Sequence, residues 1–173
     1  RAQAAQDEPE PALPEIPSRA RGAQATVVHA PDGQWAAVHK DHNVVLVGLD
    51  GHERTVTTRG TADRPFGTAS WVYGEELDQT SAMWFSPDSR WLAFYAFDVS
   101  AVPTYALLDG LEAHRPNVVE AAYPKPGDAN PVAGVLVYDR KTRRMVQVDV
   151  GDNTDQYIYG VQFTPDSRWL LFH

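Results

Sequence analysis

Three stretches of this chain follow one pattern. "HAPDGQWAAVH" begins at His29, "FSPDSRWLAFY" at Phe85 and "FTPDSRWLLFH" at Phe163. In each, Ala, Ser or Thr precedes Pro-Asp, then Gly or Ser, and a Trp opens an apolar run two residues later. Proline fixes φ and cannot donate to a β-ladder, so a strand stops there. Asp followed by Gly or Ser favours a tight turn. Trp35, Trp91 and Trp169 then restart an extended run. Each copy is predicted to be a strand–turn–strand hairpin.

Pro31, Pro87 and Pro165 are 56 and 78 residues apart. Between them lie further runs of strand character. Val44 to Leu49 leads through a turn at Asp50-Gly51 to a polar strand at Arg54 to Thr58. Val132 to Tyr138 leads through a turn at Asp139 to Thr142 to a strand at Met145 to Val150. Four short antiparallel strands per repeat is the pattern of a β-propeller blade, about 40–50 residues long. Both intervals exceed that length, so each carries an insertion. The fold expected is all-β, with about two four-stranded antiparallel blades and the start of a third. Two blades and a part cannot close a ring, and the chain opens on Arg1 rather than Met, so it is expected to be a fragment of a larger protein. Residues 1–24, with Pro9, Pro11, Pro14 and Pro17 among Ala, Glu and Arg, read as a linker or long loop, leaving 25–173 as the propeller portion. Ala2-Gln3-Ala4 fits the end of a cleaved leader as well as an Ala-rich linker. Almost no helix is expected at Leu107 to His114, where Gly110 interrupts the pattern.

A net charge of −8 argues against nucleic acid as a partner, because phosphate binding needs a basic stripe. The chain has no cysteine, which excludes disulfides and thiolate metal sites. No apolar run approaches the roughly 18 residues of a membrane span. No G-x-S-x-G elbow, phosphate-binding Gly-rich loop or H-E-x-x-H helix occurs, so no catalytic residue is assigned. His39 and His42 are expected to be a solvated pair at a strand end and a turn. "DNTDQYIYG" lacks the acidic spacing of a calcium loop. Neither a metal nor a cofactor is expected.

One stretch resists a purely structural reading. In "GTASWVYGEELDQT", residues 67–80, a Trp-Val-Tyr run meets Gly74 and then Glu75 and Glu76. Neighbouring residues on a strand face opposite ways. A turn or short helix could aim both carboxylates at one point, which Trp71 and Tyr73 would wall. Two such carboxylates repel, and one takes up a proton unless a cation sits between them. A primary ammonium, with three donors, suits the pair. The bland alternative is a solvated surface pair.

"GTASWVYGEELDQTSAMWFSPDSRWLAFYAFD", followed by Val102-Pro103, "AAYPKPGDANP" and "VLVYD", resembles the N-terminal propeller of the dipeptidyl peptidase IV family, serine peptidases of the prolyl oligopeptidase group. The resemblance covers roughly residues 27–173. It implies that Glu75 and Glu76 project into a central cavity and bind the free α-ammonium of a peptide substrate, so that dipeptides, or in some relatives tripeptides, are released. It implies a Ser-Asp-His triad in a C-terminal α/β-hydrolase domain outside this chain, which alone should be inactive. It also implies a propeller arginine that holds a substrate carbonyl, for which Arg19 and Arg21 are the candidates. The partners implied are peptides with a free N-terminus, the hydrolase domain and a second copy in a homodimer. A periplasmic or secreted location is implied over a cytoplasmic one. The alternative from another class is a non-enzymatic propeller acting as a binding scaffold.

Overall fold

The computed structural model describes residues 12–109, 114–115 and 117–173. Its first sheet has the order β1-β2-β3-β4, from Val27–His29, Trp35–Lys40, Asn43–Gly48 and Glu53–Thr55. The second is built from β5 (Met83–Phe85), β6 (Trp91–Asp98), β9 (Val132–Asp139) and β10 (Met145–Gln147), in the order β10-β9-β6-β5. Both are antiparallel throughout. Between β6 and β9 the chain inserts a two-stranded hairpin of β7 (Thr104–Asp109) and β8 (Asn117–Ala122). A last hairpin joins β11 (Gln162–Phe163) to β12 (Leu170–Leu171). The result is two four-stranded blades and the first hairpin of a third, an all-β partial propeller. Of the stretch expected to lack helix, residues through Asp109 are strand and 110–113 lie outside the described residues.

The repeated turns are alike in their hydrogen bonds. The N–H of Ala30, Ser86 and Thr164 donates to the carbonyl of Trp35, Trp91 and Trp169, at 2.8, 2.9 and 2.9 Å. Gly33, Ser89 and Ser167 close the turn onto the carbonyl of the residue before proline, and all three are left-handed, with φ of 65°, 60° and 61°. The carboxylates of Asp32, Asp88 and Asp166 each accept the N–H two residues on. In the second and third copies the Ser86 and Thr164 hydroxyls donate to that Asp and accept the Trp N–H. Ala30 has no hydroxyl to do this.

Left-handed backbone costs a serine about 1 kcal/mol that glycine would not lose. The structure shows what offsets it. Asp32 N–H donates to Ser89 Oγ at 2.9 Å, and Asp88 N–H donates to Ser167 Oγ at 3.0 Å. Each serine thus ties its own hairpin to the preceding one.

Two strands are shorter than expected. β4 ends at Thr55 because the N–H groups of Val56 and Thr57 both turn to the Val44 carbonyl, which disrupts the ladder as a bulge does. β10 stops at Gln147, although Val148 N–H still reaches the Val135 carbonyl at 2.9 Å.

The core has two parts. One gathers Ala37, Val44, Leu46, Met83, Leu92 and Phe94 between the blades. The other centres on Tyr73, Tyr95, Phe97 and Ile158. Here two phenols grip one peptide unit: Ile158 N–H donates to Tyr73 Oη at 2.9 Å, and Tyr95 Oη donates to the Ile158 carbonyl at 2.6 Å. The rings of Tyr73 and Tyr95 meet edge to face at 5.7 Å. Burial pushes the Tyr73 phenol up to about 12 and raises that of Tyr95 as well.

Two predictions follow from these contacts. Ser89→Ala keeps the left-handed strain and removes the tie, so it should lower stability by about 1–2 kcal/mol, while Ser89→Gly removes both and should cost less. Thermal melts of the two variants compare these. The raised phenols mean that the unfolded chain loses tyrosine protons before the native one does. Stability should be unaffected by these groups below about pH 10 and fall as pH rises from there towards 12. In Tyr73→Phe that alkaline slope should be shallower and, because Tyr95 still titrates high, not absent.

Candidate functional site

The segment between the two blades carries the only helix among the described residues, α1, Trp71–Glu75. Ser70 precedes it in extended conformation and makes no side-chain cap, and Gly74 lies inside it. So short a helix with an internal glycine does not persist by propensity. Packing holds it. Tyr73 is fully buried, with its ring edge-on to Phe97 at 4.9 Å and Tyr157 at 5.8 Å as well as to Tyr95.

Helical rather than strand geometry decides which side chains share a face. Trp71 and Glu75, four apart, lie together, and Tyr73 points away from them. Tyr73 therefore anchors the helix in the core and does not wall the acidic pair, contrary to the expectation from sequence. Trp71 is half-buried against Tyr123, ring centroids 5.3 Å apart. Glu75 closes the helix and Glu76 follows as its C-cap, with φ −94° and ψ −30° and its N–H on the Val72 carbonyl at 2.8 Å. Glu75 is partly buried and Glu76 exposed.

Residues 12–26 form no strand, yet the end of this segment is fixed against α1. Ala20 to Ala23 make a turn, Ala23 N–H to Ala20 carbonyl at 3.1 Å, with Gly22 at φ 69°. A Cβ on Gly22 would overlap the Trp71 indole, and one on Gly74 would overlap the Gly22 carbonyl. Only glycine at both positions lets these backbones meet. Gln24, 6% exposed, completes the junction: its carbonyl oxygen accepts the Ala69 N–H at 3.0 Å and its amide donates to the Gln79 carbonyl at 3.2 Å.

This close approach sets Arg21 against Glu75. Its Nε and one terminal nitrogen both donate to Glu75 Oε2 at 2.8 Å. The hydrogen bond and charge of Glu75 raise the already high pKa of Arg21. The Arg21 side chain is 86% exposed, so its remaining N–H groups face solvent, whereas that of Glu75 is 14% exposed. Arg19 instead donates to the Ala23 carbonyl at 2.9 Å and makes no contact with the pair. The structure thus brings Arg21 and Glu75 together, and Glu76 follows Glu75 directly as the exposed C-cap.

The two histidines are not the solvated pair expected. His39 is half-buried in β2 and its Nδ1 lies 2.8 Å from the Phe66 carbonyl, and burial lowers its pKa. His42 is exposed in the following turn at φ 64°.

Two four-stranded antiparallel blades and the first hairpin of a third define an all-β partial propeller. Residues 4–173 match the model of the dipeptidyl peptidase IV (DPP IV) N-terminal region. The chain belongs to that family. A probable dipeptidyl-aminopeptidase B of Phaeosphaeria nodorum is 34% identical over 141 residues, which cover 73% of this chain and 16% of that protein. A second, from Neosartorya fischeri, is 29% identical over 177 residues, covering 92% of this chain and 19% of that protein. The crystal structure of Porphyromonas gingivalis dipeptidyl peptidase 4 matches with a TM-score of 0.75 at 31% identity, over 86% of this chain and 21% of that one. The chain therefore spans 16–21% of the length of these relatives.

The Gly22–Gly74 contact predicts a steric result. Gly74→Ala should push residues 20–23 off α1 and destabilise the chain by roughly 1–3 kcal/mol. Gly134→Ala, whose Cβ would meet nothing nearer than 3.6 Å, serves as the comparison and should change the melting temperature little.

Proposed function

We propose that this chain is the substrate-recognising propeller portion of a serine-type dipeptidyl peptidase, and that Glu75 and Glu76 bind the α-ammonium of a peptide's N-terminus. Residues 25–173 form the propeller part, and the segment of residues 1–24 delivers Arg21 to it. The observation that carries the reading is the Arg21–Glu75 pair beside Glu76. Two carboxylates and one guanidinium leave one uncompensated negative charge, which a single ammonium balances. Glu75 is held in place by Arg21, so little side-chain freedom is lost when the amine binds. The solvent-facing N–H groups of Arg21 are suited to the first carbonyl of the same peptide, which belongs to the same residue as the amine. Fixing the amine and that carbonyl sets the register of the chain against a distant nucleophile, and register is worth a large factor in rate.

The nucleophile, base and orienting acid belong in this proposal to an α/β-hydrolase domain outside these 173 residues. The chain purified alone should not turn over a Gly-Pro anilide.

In the full-length protein, Glu75→Gln or Glu76→Gln keeps the size and removes the charge, and should lower kcat/KM by about 10²-fold or more. N-acetylating the substrate should harm the wild type comparably and the variants little, since both changes delete one contact. For the unblocked substrate, activity should fall as its amine deprotonates near pH ~8. If the losses from mutation and acetylation simply multiply, the carboxylates do not touch the amine and the reading fails.

A further inference from the structure

The opposite end of the blades holds a second charged site. α1 packs on Tyr95 and Phe97, towards the Asp98 end of β6. At the other end, where β2 and β6 begin at Trp35 and Trp91, a cleft of about 400 Å³ is lined by Trp35, Arg54, Ser89, Arg90, Arg140 and Lys141. Four cations line it and no carboxylate does, in a chain whose net charge is −8.

Two of these cations are compensated. Arg90 makes a two-pronged pair with Asp139, at 2.8 and 3.3 Å. Arg140 bonds Asp32 at 3.2 Å and donates to the Ser89 carbonyl. Its side chain is only 11% exposed, and its guanidinium lies 5.5 Å from the Trp35 ring and 5.6 Å from that of Phe85. Its buried Nε has no hydrogen-bond partner. Arg140 is thus a fixed part of the cleft's floor, with one donor unanswered.

Arg54 and Lys141 are the other two. Neither makes an ion pair among the described residues. Arg54 is held over Trp35, 4.6 Å from the ring centroid, with one long bond of 3.4 Å to the Arg140 carbonyl. Asp50 lines an adjoining cleft that shares Trp35 with this one. Ser89 Oγ already accepts the Asp32 N–H, which leaves its own proton to donate.

We propose that this cleft is an oxyanion site for a phosphate- or sulfate-sized dianion, gripped by Arg54 and Lys141 with Ser89 as a neutral donor. Asp88 also acts electrostatically on Arg90, so the cations offered to a ligand are Arg54 and Lys141, two charges that suit a dianion, and a planar guanidinium pre-positioned on an indole suits tetrahedral oxygens. The site lies away from Glu75 and Glu76 and does not depend on their role.

Titration calorimetry of the full chain with inorganic phosphate tests this, at about pH 8 where phosphate is a dianion, against chloride at equal ionic strength. A second arm uses glycerol phosphate, which presents the same group on an organic body. Saturable binding of phosphate, alone or with glycerol phosphate, is expected. Arg54→Gln and Lys141→Gln should each weaken it by about tenfold. Arg144→Gln makes the same charge change in the same turn outside the cleft and should leave it within about twofold. Near-ultraviolet circular dichroism verifies that each variant is folded. Absence of saturable phosphate binding overturns the proposal. So does an equal loss in Arg144→Gln, which would reduce the effect to diffuse screening.

Discussion

The backbone of Gly22 rests on the backbone of Gly74, and the arrangement of the candidate site follows from that contact. Neither residue could carry a Cβ there. Because both are glycine, the turn at residues 20–23 seats against α1, and Arg21 comes within 2.8 Å of Glu75. Gln24 then locks the segment with hydrogen bonds to Ala69 and Gln79. An exposed ion pair contributes little to stability by itself. Here its significance is positional: packing fixes where the Arg21 backbone stands, and the pair orients a carboxylate.

The helix under that contact is positioned by a different mechanism. Its sequence is a poor helix former, and the tyrosine at its centre carries the anchoring. Tyr73 and Tyr95 divide the N–H and the carbonyl of Ile158 between them. A buried peptide unit must have both groups paired, so Ile158 is committed to these phenols. The site segment, the second blade and the approach to the third hairpin are joined through one residue. Further around, the left-handed serines join hairpin to hairpin. The acidic pair therefore stands on a frame made of several short elements, none of which is stable in isolation.

What was legible in the sequence was local. Proline, an aspartate and a left-handed residue before Trp specify the hairpin turn with chemistry confined to six residues, and all three hairpins form. Strand ends were less legible. β4 is cut short by the Val44 carbonyl accepting two N–H groups, a contact between strands that no local pattern announces. Glu75 and Glu76 were found as a pair because adjacent charges after an aromatic run are conspicuous. The direction of Tyr73 was not, because it depends on the period. On a strand, Trp71, Tyr73 and Glu75 share a face, whereas on a helix Tyr73 leaves it. Sequence left Arg19 and Arg21 equivalent, since both lie in a segment without periodicity. Which of them pairs with Glu75 is decided by Gly22 meeting Gly74, 52 residues further along the chain. The burial of His39 is illegible for the same kind of reason: its partner, the Phe66 carbonyl, is 27 residues away.

The blades also hold the two charged sites apart. In a sheet of six- to eight-residue strands the two ends are separated by the strand length, about 20–25 Å at 3.3 Å per residue. That is two to three times the screening length at physiological salt. Glu75 and Glu76 at one end and the arginines at the other therefore barely attenuate each other's fields. An acidic chain with its cations spread evenly would lose part of the potential at either end. Arg54, Arg90, Arg140 and Lys141 gather around Trp35, while among the described residues Arg21 is the cation that pairs with Glu75, so the two sites keep separate sets of charges.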